Sequence, residues 1–163
     1  MGNFLRLFGL LALGLAASST FAGEAEIQVA DPWVQAAPPS AKVLAAYLEI
    51  KNNGEKPQTL AEITSPVFGQ VEIHRTTTRG NIARMEHLKE LVIPPRSSVA
   101  IKPGGMHLML MGGKNPLRAG DQVPMTLIFK NGEKIAISAA VRSMQEEDAG
   151  NSQHADHSKH QHH

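Results

Sequence analysis

Two histidines and two methionines recur at a spacing that could assemble a metal site. Ten residues separate His74 from Met85, and twenty-one separate Met85 from His107. Met109 lies two positions beyond His107, so both side chains leave the same face of any strand that contains them. Leu108, between them, would point to the opposite face and pack in a core.

Two imidazoles and two thioethers favour a soft, monovalent ion. Thioether sulfur is neutral and polarisable. It binds Mg²⁺ and Ca²⁺ poorly, has no particular preference for Zn²⁺, and binds Cu(I) well. A divalent ion would usually recruit a carboxylate or a thiolate as well. The sequence therefore predicts a Cu(I) site formed by His74, Met85, His107 and Met109. Because a thioether needs no deprotonation, loss of metal in acid should depend on the two histidines alone.

Other residues compete for these roles. Met111 continues the stripe of His107 and Met109, which also fits a methionine patch that only packs. His87 shares a strand face with Met85 and could substitute as a ligand. Residues interpreted as core or linker are Trp33, Met106, Met125 and Met144.

The elements that must position these side chains are predicted to be strands. Residues 123–129 and 135–141 alternate in polarity on either side of Asn131-Gly132, a strong hairpin signal. A second turn near residues 79–81 would bring His74 and Met85 into one neighbourhood. Regular turn clusters without long helical patterns predict an all-β domain, either an antiparallel sandwich or a Greek-key barrel. The further candidate strands are 26–30, 43–52, 59–64, 69–75, 83–92, 97–102 and 107–111.

The N-terminal residues 1–22 have the pattern of a secretory signal peptide. Arg6 precedes an apolar stretch, and small residues lead to a predicted cleavage after Ala22. A membrane anchor is the alternative interpretation, but the apolar stretch is short for a bilayer. We therefore expect export and a mature domain over residues 23–145.

The C-terminal residues 146–163 form a segment with almost no apolar side chain. Such a segment cannot offset its chain entropy by burial, so we expect it to be disordered without a ligand. Imidazoles without thioethers favour Cu(II), Zn²⁺ or Ni²⁺ over Cu(I), which makes a second, flexible metal site one interpretation. A passive tail and the remnant of a purification tag are the alternatives. The tail histidines are His154, His157, His160, His162 and His163.

Composition argues against several classes of protein. Cysteine is absent, which removes disulfides, zinc–thiolate sites, iron–sulfur clusters, blue-copper centres and the acylated cysteine of a lipoprotein. Aromatic residues make up 4% and the net charge is +1, so a nucleic-acid partner is not indicated. We expect no enzyme, because no nucleophile–base motif or phosphate loop is visible. A structural β-sandwich with incidental His and Met residues is the remaining alternative.

The spacing of these two histidines and two methionines resembles the signature of the PCuAC-type periplasmic copper(I) chaperones. That signature is His, ten residues, Met, twenty-one residues, His, one residue, Met, and every gap matches here. Residues 36–39, 45–48 and 103–112 also resemble the family, and the likeness covers residues 30–143. Arg75 and Thr76 depart from it, since many members have an acidic residue and a Met after the first His.

The resemblance implies a cupredoxin-like β-barrel that holds Cu(I) at one end, through two His and two Met. It also implies a periplasmic location and delivery of copper to cytochrome c oxidase assembly, at the dinuclear centre of a cytochrome c oxidase subunit, alongside Sco-type proteins. The tail would capture Cu(II). We expect a monomer whose mature chain does not insert into a membrane. A periplasmic copper scavenging or storage protein, without a dedicated acceptor, is the alternative.

Overall fold

The computed structural model of the chain describes residues 25–80 and 82–143. Strands make up its regular structure, and no helix occurs within these two ranges, so the predicted all-β class is confirmed. The predicted signal peptide and the histidine tail lie outside the described residues. The ten strands are β1 (Ile27–Gln35), β2 (Val43–Asn52), β3 (Gln58–Thr64), β4 (Gln70–Arg79), β5 (Ile82–Leu88), β6 (Leu91–Ile93), β7 (Ser97–Ile101), β8 (Met106–Met111), β9 (Gln122–Phe129) and β10 (Lys134–Arg142).

The strands form one open sheet in the order β5-β4-β8-β2-β1-β10-β9-β3-β6, and β7 pairs with β2. The predicted hairpin at Asn131-Gly132 joins β9 to β10, and Gly132 has the positive φ of 88° that such a turn needs. One pair departs from the antiparallel pattern, because β1 and β10 run parallel. The open end of the sheet, formed by β5, β4 and β8, carries the predicted ligands His74, Met85, His107 and Met109.

A single hydrophobic cluster fills the space that the curved sheet encloses. Alternate residues of the long strands supply it, as the polarity pattern predicts; Leu108 and Leu110 of β8 are fully buried. Met125 and Trp33 are buried as predicted, and the Trp33 ring lies 4.6 Å from that of Tyr47 between centroids. The core therefore fixes which face of each strand is left for chemistry.

Three strand predictions were wrong at their ends. The predicted strand 69–75 is β4, which continues to Arg79 because residues 76–79 pair with β5. β1 continues past residue 30 to Gln35, because a bulge between Ala30 and Trp33 accommodates Asp31 and Pro32. Asp31 has a φ of 43°, a conformation that aspartate tolerates better than most residues. The predicted strand 83–92 is two strands, since residues 91–93 leave β4 and pair with β3.

Candidate metal site

Glycine turns at both ends hold β8 in place between β4 and β2. Before the strand, Gly105 donates to the carbonyl of Lys102 at 3.1 Å, closing a turn in which Pro103 precedes Gly104 with a φ of 80°. After the strand, Gly112 has a φ of 67°, a left-handed conformation that glycine adopts readily, and the backbone N–H of Gly69 donates to the carbonyl of Met111 at 3.0 Å. These turns fix the register in which β8 presents His107 and Met109.

Three histidines lie side by side across β5, β4 and β8. His74 of β4 is the central member, paired in register with His87 of β5 and with His107 of β8. The ring of His74 lies 5.4 Å from that of His87 and 5.7 Å from that of His107, measured between centroids. Directly paired residues point to the same side of a sheet, so we call this side of β5-β4-β8 the histidine face.

A carboxylate orients the central histidine. Nε2 of His74 lies 2.7 Å from Oε2 of Glu72, and the two side chains are only 13% and 21% exposed. Nδ1 of His74 is buried and has no hydrogen-bond partner within the described residues. A neutral ring that donates Nε2–H to Glu72 leaves a lone pair on Nδ1, which is the arrangement of a metal-binding histidine held by an outer carboxylate.

His107 is half-buried on β8. Burial, followed by electrostatic repulsion from His74, lowers the pKa of His107 below its ordinary value of 6.5. The ring therefore stays neutral, and able to donate a lone pair to a metal, over a wider pH range than a free histidine. Because His74 and His107 are directly paired on neighbouring strands, both imidazoles can donate to one transition-metal ion.

The two predicted methionine ligands lie on the histidine face, on opposite sides of His74. Met109 is half-buried and lies opposite Glu72 in the β4–β8 ladder. Met85 is 58% exposed and lies opposite Thr76 in the β4–β5 ladder. Each is a diagonal neighbour of His74, at a typical Cα separation of about 7–8 Å. The register thus places His74 directly beside His107, with Met109 one diagonal position away. Met85 lies on the far side of β4 from both His107 and Met109.

The structure also places His87 and Met111, the two alternative ligands. His87 contacts His74 as closely as His107 does, and sequence spacing alone did not distinguish it from a bystander. Met111 lies opposite Gln70, four residues along β4 from the row of His74. Sequence reasoning assigned no role to Glu72. Its position two residues before His74, on the same strand face, was the available signal.

Within residues 25–80 and 82–143, no group of three or more His, Asp or Glu side chains is arranged to hold a metal ion. The same described ranges contain no helix long and apolar enough to cross a bilayer. The five tail histidines lie outside the described residues, so their predicted site stays a prediction.

Comparison with solved structures gives the class of this fold. The copper-bound PCuAC domain from PmoF2 matches with a TM-score of 0.63 and 25% identity, covering 73% of this chain and 94% of that domain. The solution structure of CuI-DR1885 from Deinococcus radiodurans matches with a TM-score of 0.62 and 31% identity, covering 79% of this chain and 87% of that one. The predicted cupredoxin-like fold and the resemblance to PCuAC-type proteins are therefore confirmed.

Comparison of sequences gives the family. The sequence model described as "Putative lipoprotein LpqE-like" matches residues 27–141, and the chain belongs to this LpqE-like family. The putative lipoprotein Lxx21020 of Leifsonia xyli subsp. xyli is 33% identical over 117 residues, covering 71% of this chain and 69% of that protein. The uncharacterized protein RP573 of Rickettsia prowazekii is 29% identical over 125 residues, covering 72% and 67%. This chain contains no cysteine that could carry a lipid.

Proposed function

We propose that this protein is a periplasmic copper chaperone that binds Cu(I) through His74, Met85, His107 and Met109. One observation carries the proposal. Glu72 holds His74 by one ring nitrogen, and the other nitrogen is buried and has no hydrogen-bond partner among the described residues. The ring of His107 lies 5.7 Å from that of His74 between centroids. A buried imidazole nitrogen without a hydrogen bond is unfavourable unless a ligand completes it. The copper-bound PCuAC domain from PmoF2, which shares this fold, supports copper as that ligand.

The donor set suits Cu(I) as cargo. Both imidazoles and both thioethers are neutral, and sulfur of this kind prefers a soft monovalent ion. The carboxylate of Glu72 lies behind His74 and supplies a negative charge without entering the coordination sphere. Met85 comes from an exposed edge strand, so it is the ligand that must turn toward the ion when copper binds. We expect a carrier and no enzyme, because four protein ligands leave no open position for a substrate.

Transfer by exchange of ligands follows from the same arrangement. A site at the edge of a sheet, held by neutral donors, allows the ligands of an acceptor to enter one at a time. Thiolates bind Cu(I) more tightly than thioethers do, so an acceptor with cysteines would take the ion. The acceptor that the PCuAC resemblance implies is the dinuclear copper centre of cytochrome c oxidase during assembly, reached together with a Sco-type protein.

The histidine tail is proposed to hold a second copper, as Cu(II). The five tail histidines lack a thioether partner, and imidazole suits the divalent ion. Truncation after Met144 should abolish Cu(II) binding and leave Cu(I) binding intact, as measured by titrating each ion separately. If the truncated chain binds as much Cu(II) as the full mature chain, the tail is not the site.

X-ray absorption at the copper edge of Cu(I)-loaded protein tests the core site directly. We expect two sulfur and two nitrogen ligands, and loss of one sulfur in Met109→Ala. A spectrum with only nitrogen and oxygen ligands would overturn the assignment. Incubating Cu(I)-loaded protein with an isolated cytochrome c oxidase subunit fragment separates the chaperone from the storage alternative. Copper should move to the fragment, whereas a storage protein would retain it.

A further inference from the structure

The histidine face contains one imidazole more than the proposed Cu(I) site uses. His87 is paired in register with His74, and its ring lies slightly closer to that of His74 than the ring of His107 does, at 5.4 Å against 5.7 Å. The planes of His74 and His87 are inclined by 29°, so the two rings are stacked. His74 is therefore shared between two potential imidazole partners, one on each neighbouring strand.

Each outer histidine has a methionine two residues away on its own strand and on the same face. Met109 accompanies His107 on β8, and Met85 accompanies His87 on β5. The histidine face therefore contains two half-sites, each with one imidazole and one thioether, that share His74. Both half-sites offer neutral, Cu(I)-compatible donors.

The two half-sites differ in their access to solvent. β8 lies between β4 and β2, and its His107 and Met109 are half-buried. β5 is the terminal strand of the sheet, and both His87 and Met85 are exposed. Donors on the β8 side are therefore partly shielded from solvent, whereas donors on the β5 side can be reached by the ligands of another molecule.

We propose that His87 is an exchange ligand, through which Cu(I) passes between the proposed four-ligand site and an acceptor. During this step the bonds from Cu(I) to His107 and Met109 break, a bond to His87 Nδ1 or Nε2 forms, and His74 and Met85 stay bound. The ion keeps its charge, so no electron moves, and the new bond uses a lone pair of the His87 imidazole. The three-ligand state on the exposed strand has room for the first donor of the acceptor. This inference rests on the proposed Cu(I) site and assigns a route out of it.

Transfer kinetics of His87→Ala test the proposal. Stopped-flow mixing of Cu(I)-loaded protein with a chromogenic Cu(I) chelator gives the transfer rate, and competition with the same chelator gives the equilibrium affinity. We expect His87→Ala to slow transfer about tenfold more than it lowers affinity, since loss of about 1.4 kcal/mol of barrier stabilisation slows a step tenfold. His87→Met, which restores a soft donor, should recover most of the rate, and His87→Gln should not.

The matched control is Glu86→Ala, one residue away on the same exposed strand and on its other face. This variant should transfer copper at the wild-type rate. Wild-type transfer by His87→Ala would overturn the proposal. A parallel fall of rate and affinity would also overturn it, because His87 would then be a permanent ligand. A wild-type chain that takes up no Cu(I) would instead overturn the proposed function itself.

Discussion

Replacing Glu72 with glutamine tests whether this carboxylate orients His74 for metal binding. Oε2 of Glu72 lies 2.7 Å from Nε2 of His74, in a pair whose side chains are only 13% and 21% exposed. The other oxygen of the carboxylate accepts from Nε2 of Gln70 at 2.6 Å. Glu72→Gln keeps the shape of the side chain but removes the charge that fixes the His74 ring.

The expected size of the effect follows from the hydrogen bond. A hydrogen bond to a charged group contributes about 1.5–3 kcal/mol, and one between neutral groups about 0.5–1.5 kcal/mol. The difference is about 1.5 kcal/mol, which corresponds to a loss of roughly tenfold in Cu(I) affinity. That loss lies at the low end of the range of about 10–100-fold typical for residues that orient a metal ligand.

Competition with a chromogenic Cu(I) chelator measures this loss, and Glu86→Gln is the matched control. Glu86 also carries a negative charge near the site, but it lies on β5 with its side chain on the other face of the strand. Glu86→Gln should bind Cu(I) as the wild type does. An equal loss in both variants would show that only net charge matters and would refute the orientation of His74 by Glu72. Wild-type affinity in Glu72→Gln would refute it as well.

Three further substitutions or conditions probe the site and the scaffold separately. Met109→Ala should lower Cu(I) affinity sharply and leave the thermal midpoint of the apo domain nearly unchanged, because Met109 lies outside the buried cluster; a large drop in midpoint would contradict this. Asn52→Ala should cost about 2–3 kcal/mol in urea unfolding, since the buried Asn52 amide donates to three backbone carbonyls that would lose their partner. The lowered pKa of His107 means that the unfolded chain binds a proton more readily than the folded apo domain does. The contribution of His107 to the stability of the apo domain is therefore full above pH 6.5 and declines as the pH falls from 6.5 toward the lowered pKa. The thermal midpoint of a His107→Gln variant, measured against pH, should lack this part of the decline.

Strand alternation made one half of the site predictable. Leu108 and Leu110 are buried while His107 and Met109 lie on the other face, as a period of two requires. The pairing of His74 with His107 was not predictable from alternation, because β4 and β8 are far apart in sequence. Their register depends on tertiary contacts and on the glycine turns that bound β8.

The position of Met85 shows what a predicted hairpin leaves undetermined. The turn was placed correctly, and Arg79 pairs with Ile82 across it. That register sets His87, not Met85, directly opposite His74, and moves Met85 one step toward the tip of the hairpin. Sequence spacing predicts which side chains share a face of the hairpin, but not which residues lie directly opposite each other. A shift of the pairing register by two residues leaves every side chain on the same face.

The location of the proposed site at a sheet edge suits the two requirements of a carrier, which are to hold an ion and to release it. The proposed carrier must hold Cu(I) away from water, and β8 offers half-buried donors on the strand that also carries two fully buried leucines. It must also release the ion, which requires a ligand that can leave without disturbing the core. Met85 and His87 lie on a terminal strand whose side chains are exposed or, at Leu88, half-buried, so their movement breaks little packing. Because β4 is paired on both sides, the proposed route keeps His74 fixed while its partners change. It assigns the retention of copper to β8 and its release to β5, the two strands that flank β4.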